Sequence, residues 1–456
     1  MPLKIAIVTE YYYPLIGGIT ENVHHTATRL RAMGHTVKII TSRASLNGLP
    51  ASEEPPDAAD VIRIGRSMPL YTNGSVAHVT VGLHLWRELR DTFLSERFDI
   101  AHLHGPLVFT LPAMGVIAAR VAKCPSVGTF HTYFEGSAVY KRFRGILQKQ
   151  FLDKMDAQTF VSTSCVESLQ RYFALKDPRI IPNGVDVDRF NPAAPRLGRF
   201  DPGKLTLLWL GRLDPRNGLG LMLKSFEIVK RQFSGVRLVI VGHGSSRAYF
   251  ERMVPQALRA DVHFEGPAVA GRPSYYSTCD LFCSPVTKAS FGITLLEAMA
   301  SGKPIVASEN VGYGDLLGPE EGILVPQNGP ETFASAILQL LRDDRLRSEM
   351  GRAGLRKVAR YSWDHVVGET LDLYQEVLRT RWAGASSSSR RPASSWVMSL
   401  GEQRADVPRC ERRWDPWSVE HGDVDQERVE HSPQVLGRND VAGPPDVADD
   451  EGRAVA

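Results

Sequence analysis

One loop-to-helix junction, within residues 290–300, combines residue types that suit a phosphorylated ligand. Phe291 and Gly292 lead directly into an apolar predicted helix that begins near Ile293. A glycine here lets a ligand approach the backbone, and the free N–H groups and positive dipole end of a helix attract phosphate oxygens. Glu297 lies about a turn and a half further along, where its carboxylate would accept hydrogen bonds from a diol. The pattern predicts phosphate binding by the backbone and hydroxyl binding by Glu297.

Two further candidates come directly after predicted strands, where open α/β sheets bind their ligands. His131 follows the apolar run 126–130, and Arg212 follows the run 205–210. A lone histidine is usually a satisfied polar residue, so its type alone is weak evidence. An arginine at the end of a strand is well suited to bind an anion. These positions favour a site formed by two different parts of the chain.

Glycines mark two turns that also follow predicted strands. Gly17 and Gly18 come between the first strand and the first helix, and Gly242 and Gly244 close the second strand of the later half. Each pattern is weak by itself, because many tight βα turns contain glycine. The place of Gly17 and Gly18 in the first βα turn favours a loop that packs against a ligand.

The composition excludes several classes of function. The chain has 456 residues, enough for two or three domains, and its formal net charge of +3 does not by itself predict a nucleic-acid partner. The five cysteines are scattered without zinc-binding spacing, so we expect buried thiols in a reducing compartment and no metal site. The N-terminal apolar run is too short for a signal peptide, and no stretch suits a membrane-spanning helix. We therefore expect a cytoplasmic protein.

Alternating strands and helices must position the candidate residues. The first half reads strand, helix, strand and continues with βα units, and the second half restarts this pattern at residue 204. Strands that alternate with helices favour parallel sheets. We predict two doubly wound, Rossmann-like α/β domains over 1–185 and 204–363, with a linker rich in Pro, Gly, Asp and Arg at 186–203.

The C-terminal part divides into a helix and a tail. A helix is predicted at 364–381, because its apolar residues form one stripe. From Ala383 onward Lys, Ile, Phe and Tyr are all absent, so residues 383–456 are expected to form a disordered tail. A regulatory tail and an inert extension both explain this composition, and the lack of a recognisable site favours the inert extension.

Several separate segments resemble the retaining glycosyltransferases of family 4. They lie at 73–77, 128–132, 181–186 and 290–300, within a resemblance that covers about residues 3–380. Within the family the chain is most similar to the phosphatidylinositol mannosyltransferase group. The resemblance implies the GT-B fold, in which two Rossmann-like domains face each other across a cleft and a last helix crosses back to the first domain.

The resemblance also implies a role for the candidate residues. His131 would contact the donor sugar and help to stabilise positive charge at its anomeric carbon, and Arg212 would clamp the departing diphosphate. Glu297 would bind the ribose of a nucleoside diphosphate sugar, and the nucleotide would lie near Gly242 and Gly244. In this family cationic side chains usually replace a metal, so no cofactor is expected.

Two positions depart from the family pattern and leave a second hypothesis open. Ala289 stands where the family usually has a glutamate that contacts the sugar, and Asn217 stands where it has a lysine on the diphosphate. Arg216 would reach the phosphates in place of that lysine, or it is an ordinary exposed loop residue. The alternative is therefore a weakly active or non-catalytic member that binds nucleotide sugars. An NAD-dependent oxidoreductase is disfavoured, because no G-x-G-x-x-G follows the first strand with an acid about 20 residues on.

Donor, acceptor and membrane contact are expected from the subgroup and from one basic helix. GDP-mannose is the first expectation for the donor, followed by a UDP-sugar, and the acceptor is expected to be a lipid or a glycan. A basic amphipathic stretch at 138–155 has Tyr140, Phe143, Leu147 and Phe151 on one face. Such a helix would rest on anionic lipid at the inner membrane face or hold an acceptor phosphate, but the spacing favours an ordinary helix packed by its apolar face, because any packed helix shows it.

Overall fold

The computed structural model describes residues 1–15, 17–43, 58–72, 75–107, 110–200, 203–268 and 271–388. Within these ranges, strands and helices alternate and form two sheets. Two predictions fall outside them in part. Asn73 and Gly74, from one of the segments that carry the resemblance, and residues 389–456 of the predicted tail lie outside the described residues.

The first sheet is formed by the N-terminal half of the chain, hereafter the first lobe. Its described strands are β1 (Lys4–Val8), β2 (Thr36–Arg43), β3 (Val61–Thr72), β4 (Ser75–Val81), β5 (Ile100–His104), β6 (Ser126–Phe130), β7 (Ala157–Phe160) and β8 (Arg179–Ile180). They pair in the order β4-β3-β2-β1-β5-β6-β7-β8, and only the β3–β4 pair is antiparallel among them. The helices are α1 (Gly18–Ala32), α2 (Leu85–Glu96), α3 (Leu111–Val121), α4 (Ala138–Gln150) and α5 (Thr163–Gln170).

The second sheet is formed by the later half, hereafter the second lobe. Its described strands are β9 (Leu205–Leu210), β10 (Val236–Val241), β11 (Val262–Gly266), β12 (Leu281–Ser284), β13 (Ile305–Ser308) and β14 (Gly322–Val325). They pair in parallel in the order β11-β10-β9-β12-β13-β14, the strand order of a doubly wound Rossmann-type sheet. The helices are α6 (Leu219–Gln232), α7 (Arg247–Met253), α8 (Arg272–Thr278), α9 (Ile293–Ala300), α10 (Pro330–Arg342) and α11 (Asp344–Val358).

Apolar runs of four to six residues explain why the central strands form. β5, β6, β10 and β12 are buried along their whole length, as expected of parallel strands covered by helices on both faces. Full burial of one Val, Leu or Ile side chain stabilises a fold by roughly 1.5–3 kcal/mol. Two buried parallel sheets confirm the predicted fold class.

The last helix returns to the first lobe. Residues 186–203 contain no strand in their described part, and just before them the N–H of Val185 donates to the carbonyl of Tyr361 at 2.8 Å. The helix α12 (Trp363–Ser388) then lies against α1, where Arg29 and Asp364 form an ion pair of 2.6 Å. α12 extends beyond the predicted end at residue 381.

Two local features differ from what the sequence pattern predicts. The hairpin of β3 and β4 lies at the edge of the first sheet. Its apolar residues Met68 and Leu70 are exposed, so apolar side chains do not alternate clearly with polar ones between a buried and an exposed face. In α4, Tyr140 and Leu147 are buried as expected, whereas Phe143 is 42% exposed. Phe143 follows Tyr140 by three residues and so shares its face of the helix, but it lies at the rim of the narrow buried stripe.

Candidate active site

The N-terminus of α9 meets the first lobe. Gly292 precedes the helix with a φ of 121°, a conformation that favours glycine, and a Cβ there would lie 2.8 Å from the ring of Tyr313. The backbone N–H of Tyr133 donates to the hydroxyl of Ser290 at 3.0 Å, and the hydroxyl of Ser162 donates to the carbonyl of Ser290 at 2.7 Å. The loop before α9 is therefore held by residues of both lobes.

The first βα turn lies against the same helix end. A Cβ on Gly18 would lie 2.9 Å from Cδ1 of Ile293, the first residue of α9, so only glycine fits without displacing that side chain. Gly17 is extended, and a Cβ there would meet no atom within 4 Å. The structure thus brings Gly18 against Ile293, and Gly17 and Gly292 are their neighbours in the chain.

Glycines allow the loops after β9, β10 and β12 to pack closely around Arg212. A Cβ on Gly242 would lie 1.8 Å from the carbonyl oxygen of Gly211, and a Cβ on Gly218 would lie 2.0 Å from that of Pro285. Gly244 packs in the same way, 2.9 Å from the carbonyl oxygen of Leu213. Gly242 and Gly244 were predicted from the family resemblance to lie near the nucleotide, and the structure adds that both allow close packing of the loops.

Arg212 remains accessible at this edge of the second lobe. Its side chain is 44% exposed and lies 3.4 Å from the carboxylate of Asp214. The side-chain amide of Asn217 donates to the carbonyl of Arg212 at 2.8 Å, so Asn217 braces the loop. Arg216 is exposed in the short 3-10 turn Pro215–Asn217.

His131 belongs to a cluster of three histidines at the carboxyl ends of β5 and β6. Nε2 of His131 lies 2.8 Å from Nδ1 of His104, and the ring of His104 is 4.3 Å from that of His102. Burial lowers the pKa of His131 to about 4 and that of His102 to about 3, and it lowers the pKa of His104 well below its ordinary value. All three rings are therefore neutral at pH 7.

Arg272 links the two lobes through two buried carboxylates. It donates to Glu21 of α1 at 3.0 Å and to Glu297 of α9 at 2.8 Å, and the hydroxyl of Tyr276 donates to Glu297 at 2.9 Å. Burial alone would lower the pKa of Arg272, but the two carboxylates outweigh it and raise that pKa. Burial raises the pKa of Glu297, against the opposing effect of Arg272. Burial would also raise the pKa of Glu21, but His25 and Arg272 lower it to about 2.

Glu297 is therefore a buried residue with hydrogen-bond partners in the protein, not an open side chain that only a ligand would contact. Only 2% of the residue is exposed, and each carboxylate oxygen already accepts one hydrogen bond. An ionised carboxylate has about four acceptor positions, so Glu297 has positions left, but at 2% exposure a diol reaches them only when neighbouring side chains move.

Arg272, Glu21 and His104 were not predicted from the sequence. The contact between Arg272 and Glu21 joins residues 251 positions apart, and nothing local to either residue predicts it. His104 had a detectable signal: His102 and His104 alternate on a strand that ends at the predicted site. No group of three His, Cys, Asp or Glu side chains that would hold a metal ion is found in the described part of the chain.

Family models match most of the described chain in two parts. Residues 16–189 match the model described as Glycosyltransferase Family 4, and residues 204–343 match the model described as Glycosyl transferases group 1. The first match covers the glycine turn and His131, and the second covers Arg212 and α9.

Named relatives and a solved structure agree with these matches. The chain is 33% identical to a phosphatidyl-myo-inositol mannosyltransferase of Mycobacterium tuberculosis, over 82% of this chain and 97% of that protein. It is 29% identical to a GDP-mannose-dependent alpha-mannosyltransferase of Mycolicibacterium smegmatis, over 83% of this chain and 99% of that protein. A sucrose-phosphate synthase structure from Thermosynechococcus elongatus aligns with a TM-score of 0.65 at 20% identity, over 83% of this chain and all of that one. The similarity to named enzymes does not favour the non-catalytic alternative.

Proposed function

The chain belongs to glycosyltransferase family 4, and from that premise we propose that it transfers a hexose, with retention, from a nucleoside diphosphate sugar to a lipid or glycan acceptor. The observation that carries the proposal is the meeting of Gly18 with Ile293 at the N-terminus of α9. A diphosphate at this helix end lies where both lobes contribute backbone groups and where the helix dipole favours negative charge.

In the proposed reaction, the bond between the anomeric carbon and the diphosphate oxygen breaks. The acceptor oxygen forms the new bond on the same face of the sugar, and a diphosphate oxygen takes up the acceptor proton. Arg212 and the N-terminus of α9 stabilise the negative charge that develops on the leaving group, which makes a metal cofactor unnecessary in this proposal. His131 contacts the sugar, and Glu297 accepts hydrogen bonds from the ribose.

GDP-mannose is the proposed donor, with a UDP-sugar as the alternative. Support comes from two relatives, a phosphatidyl-myo-inositol mannosyltransferase and a GDP-mannose-dependent alpha-mannosyltransferase. The decisive experiment is a thermal-shift screen of GDP- and UDP-sugars, because a ligand at 100 times its Kd stabilises the native state by about 2.7 kcal/mol. A selective rise in melting temperature with GDP-mannose, followed by mannose transfer or slow donor hydrolysis, supports the proposal. Binding of donors without any turnover on lipid or glycan acceptors supports a binding module instead.

Peripheral contact with an anionic membrane is the second part of the proposal. α4 carries a second apolar stripe of Val139, Phe143 and Ile146, which are 45%, 42% and 57% exposed, next to exposed Lys141, Arg142 and Arg144. This pattern suits the interface of an anionic bilayer. In the described ranges, no helix has the length and apolar character needed to cross a membrane.

Sedimentation with vesicles tests the membrane contact. The double variant Phe143→Ser and Ile146→Ser is expected to reduce binding to anionic vesicles, while neutral vesicles bind weakly in every case. Val311→Ser is the matched control, because Val311 is also exposed but lies in the second lobe. Equal binding of both variants to anionic vesicles would contradict the role of α4.

A further inference from the structure

His104 and His131 are held ring to ring by neighbouring strands. His104 ends β5 and pairs in register with Thr129 of β6, and His131 comes directly after β6. Their planes differ by only 17°, their centroids are 5.1 Å apart, and Nδ1 of His104 is 2.8 Å from Nε2 of His131. Two rings stacked face to face could not bring these nitrogens so close at that separation. The rings are therefore nearly coplanar, edge to edge, and share one proton in an N–H···N hydrogen bond.

The unpaired nitrogen of His104 indicates which ring donates. Nε2 of His104 is buried and has no hydrogen-bond partner among the described residues. If His131 were the donor, the proton of neutral His104 would lie on this Nε2 and leave a buried N–H unsatisfied. If His104 donates from Nδ1, its Nε2 carries only a lone pair. Orphaned buried N–H groups are rarer than under-satisfied acceptors, so the second arrangement is favoured.

We propose that His104 is a positioning residue: it donates Nδ1–H to Nε2 of His131 and so fixes His131 as the Nδ1–H tautomer. Nδ1 of His131 makes no hydrogen bond to other described residues, so its proton is available to a hydroxyl of the donor sugar. A neutral donor suits this place, because a protonated imidazole would oppose positive charge at the anomeric carbon. The substrate contact rests on the proposed function, whereas the tautomer does not.

The rest of the cluster keeps His104 from turning. Its ring lies against that of His102, and both nitrogens of His102 are engaged. Nδ1 of His102 is 2.6 Å from the hydroxyl of Tyr374 in α12, and its Nε2 is 2.5 Å from the hydroxyl of Thr129. The returning helix α12 is thereby connected, through His102, to the ring of His104, which orients His131.

Nitrogen-15 NMR of histidine-labelled protein reads the tautomer directly, without any substrate. In the unmodified protein, His131 is expected to show a protonated Nδ1 and an unprotonated Nε2, with assignment by His131→Asn. His104→Leu removes the donor, and we expect His131 to become a mixture of tautomers. His104→Asn keeps an amide donor near the position of Nδ1 and is expected to preserve the Nδ1–H form. His35→Asn is the control, since His35 accepts a hydrogen bond from the backbone of Leu3 away from the cluster.

Turnover gives the second readout. His104→Leu is expected to lower kcat roughly 10- to 100-fold with little change in KM for the donor, as for other residues that orient a functional histidine. His104→Asn should recover most of that loss, and His35→Asn should match the unmodified protein. Protonated Nε2 in unmodified His131, or an unchanged tautomer and kcat in His104→Leu, would overturn the proposal. If no donor is turned over at all, the proposed function fails while the NMR result still decides the tautomer.

Discussion

The two lobes differ in the charge of the groups that they contribute to the candidate site. The edge of the first lobe presents neutral groups: His131, backed by His104, follows β6, and burial keeps both rings uncharged. The edge of the second lobe presents Arg212 and the positive end of α9. A leaving diphosphate gains negative charge while the anomeric carbon gains positive charge, so the transition state suits cations on one side and neutral dipoles on the other. The division of charge between the lobes is therefore a physical basis for the proposed reaction.

Arg272 is the exception that joins the two edges. It belongs to the second lobe, yet it contacts Glu21 of the first lobe as well as Glu297 of its own. Since Glu297 is buried and Glu21 largely so, Arg272 is one of several connections between the lobes and supplies the counter-charge of Glu297.

Removal of this connection should have the largest effect on stability. Arg272→Ala leaves Glu297 buried without its counter-charge, and breaking such a pair typically costs about 3–5 kcal/mol. We expect a clear fall in the urea midpoint. The double variant Arg272→Ala with Glu297→Gln should recover part of the loss, because it removes the unpaired charge. Arg231→Ala is the control, since it breaks only an exposed pair with Glu227. A midpoint unchanged by Arg272→Ala would show that the connection is dispensable.

Variants of Arg212 test the charged edge of the second lobe directly. Arg212→Ala should lower kcat roughly 100- to 1,000-fold, the loss typical when one preorganised group for a developing negative charge is removed. Arg212→Lys should retain more activity, because it keeps the charge but not the fork. Steady-state kinetics with the identified donor measures both, and Arg216→Ala in the same loop is the comparison variant. Full turnover without Arg212 would refute the proposed role of the second lobe.

The sequence was sufficient to predict the strands that carry the site but not the contacts that join the lobes. β1, β6, β9 and β10 were predicted because short apolar runs are a local signal. The same local signals placed His131 and Arg212 after their strands. Arg272 was missed because its partners are distant in sequence, and local spacing cannot show which charges will be buried together.

Asn217 shows a different limit. Its residue type suggested a weakened phosphate contact, but the structure shows its amide bonded to the carbonyl of Arg212. A departure from a family pattern can therefore replace a ligand contact with a bracing contact, and only the folded loop distinguishes the two.

The dependence of the unfolding free energy on pH tests whether His104, at the edge of the first lobe, is neutral in the native state. Because burial depresses the pKa of His104 in the native state, the unfolded chain binds a proton there in a pH window that begins near 6.5 and extends downward, while the native chain does not. Each such histidine makes stability fall with falling pH by roughly 1.4 kcal/mol per pH unit in that window. His104→Asn should therefore flatten the dependence of the unfolding free energy on pH by about one histidine's share. An unchanged slope in urea unfolding between pH 6.5 and 5 would show that His104 is not held neutral by the fold.

The smallest expected effect concerns position 289 of the second lobe, where this chain has alanine in place of the glutamate that is usual in the family. Ala289 is partly buried against the hydrophobic core, and its carbonyl oxygen would lie 2.4 Å from a Cβ placed on Gly312. Ala289→Glu should add a hydrogen bond to the donor sugar and raise kcat/KM about two- to tenfold, in line with a net gain of roughly 0.5–1.5 kcal/mol. Ala289→Gln separates hydrogen bonding from charge. Asn217→Lys is expected to gain less, since it gives up the brace on Arg212. Lower turnover in Ala289→Glu with an unchanged melting temperature would mean that this site is adapted to a sugar that needs no carboxylate there. Position 289 of the second lobe would then be neutral for the same reason as the histidine edge of the first lobe.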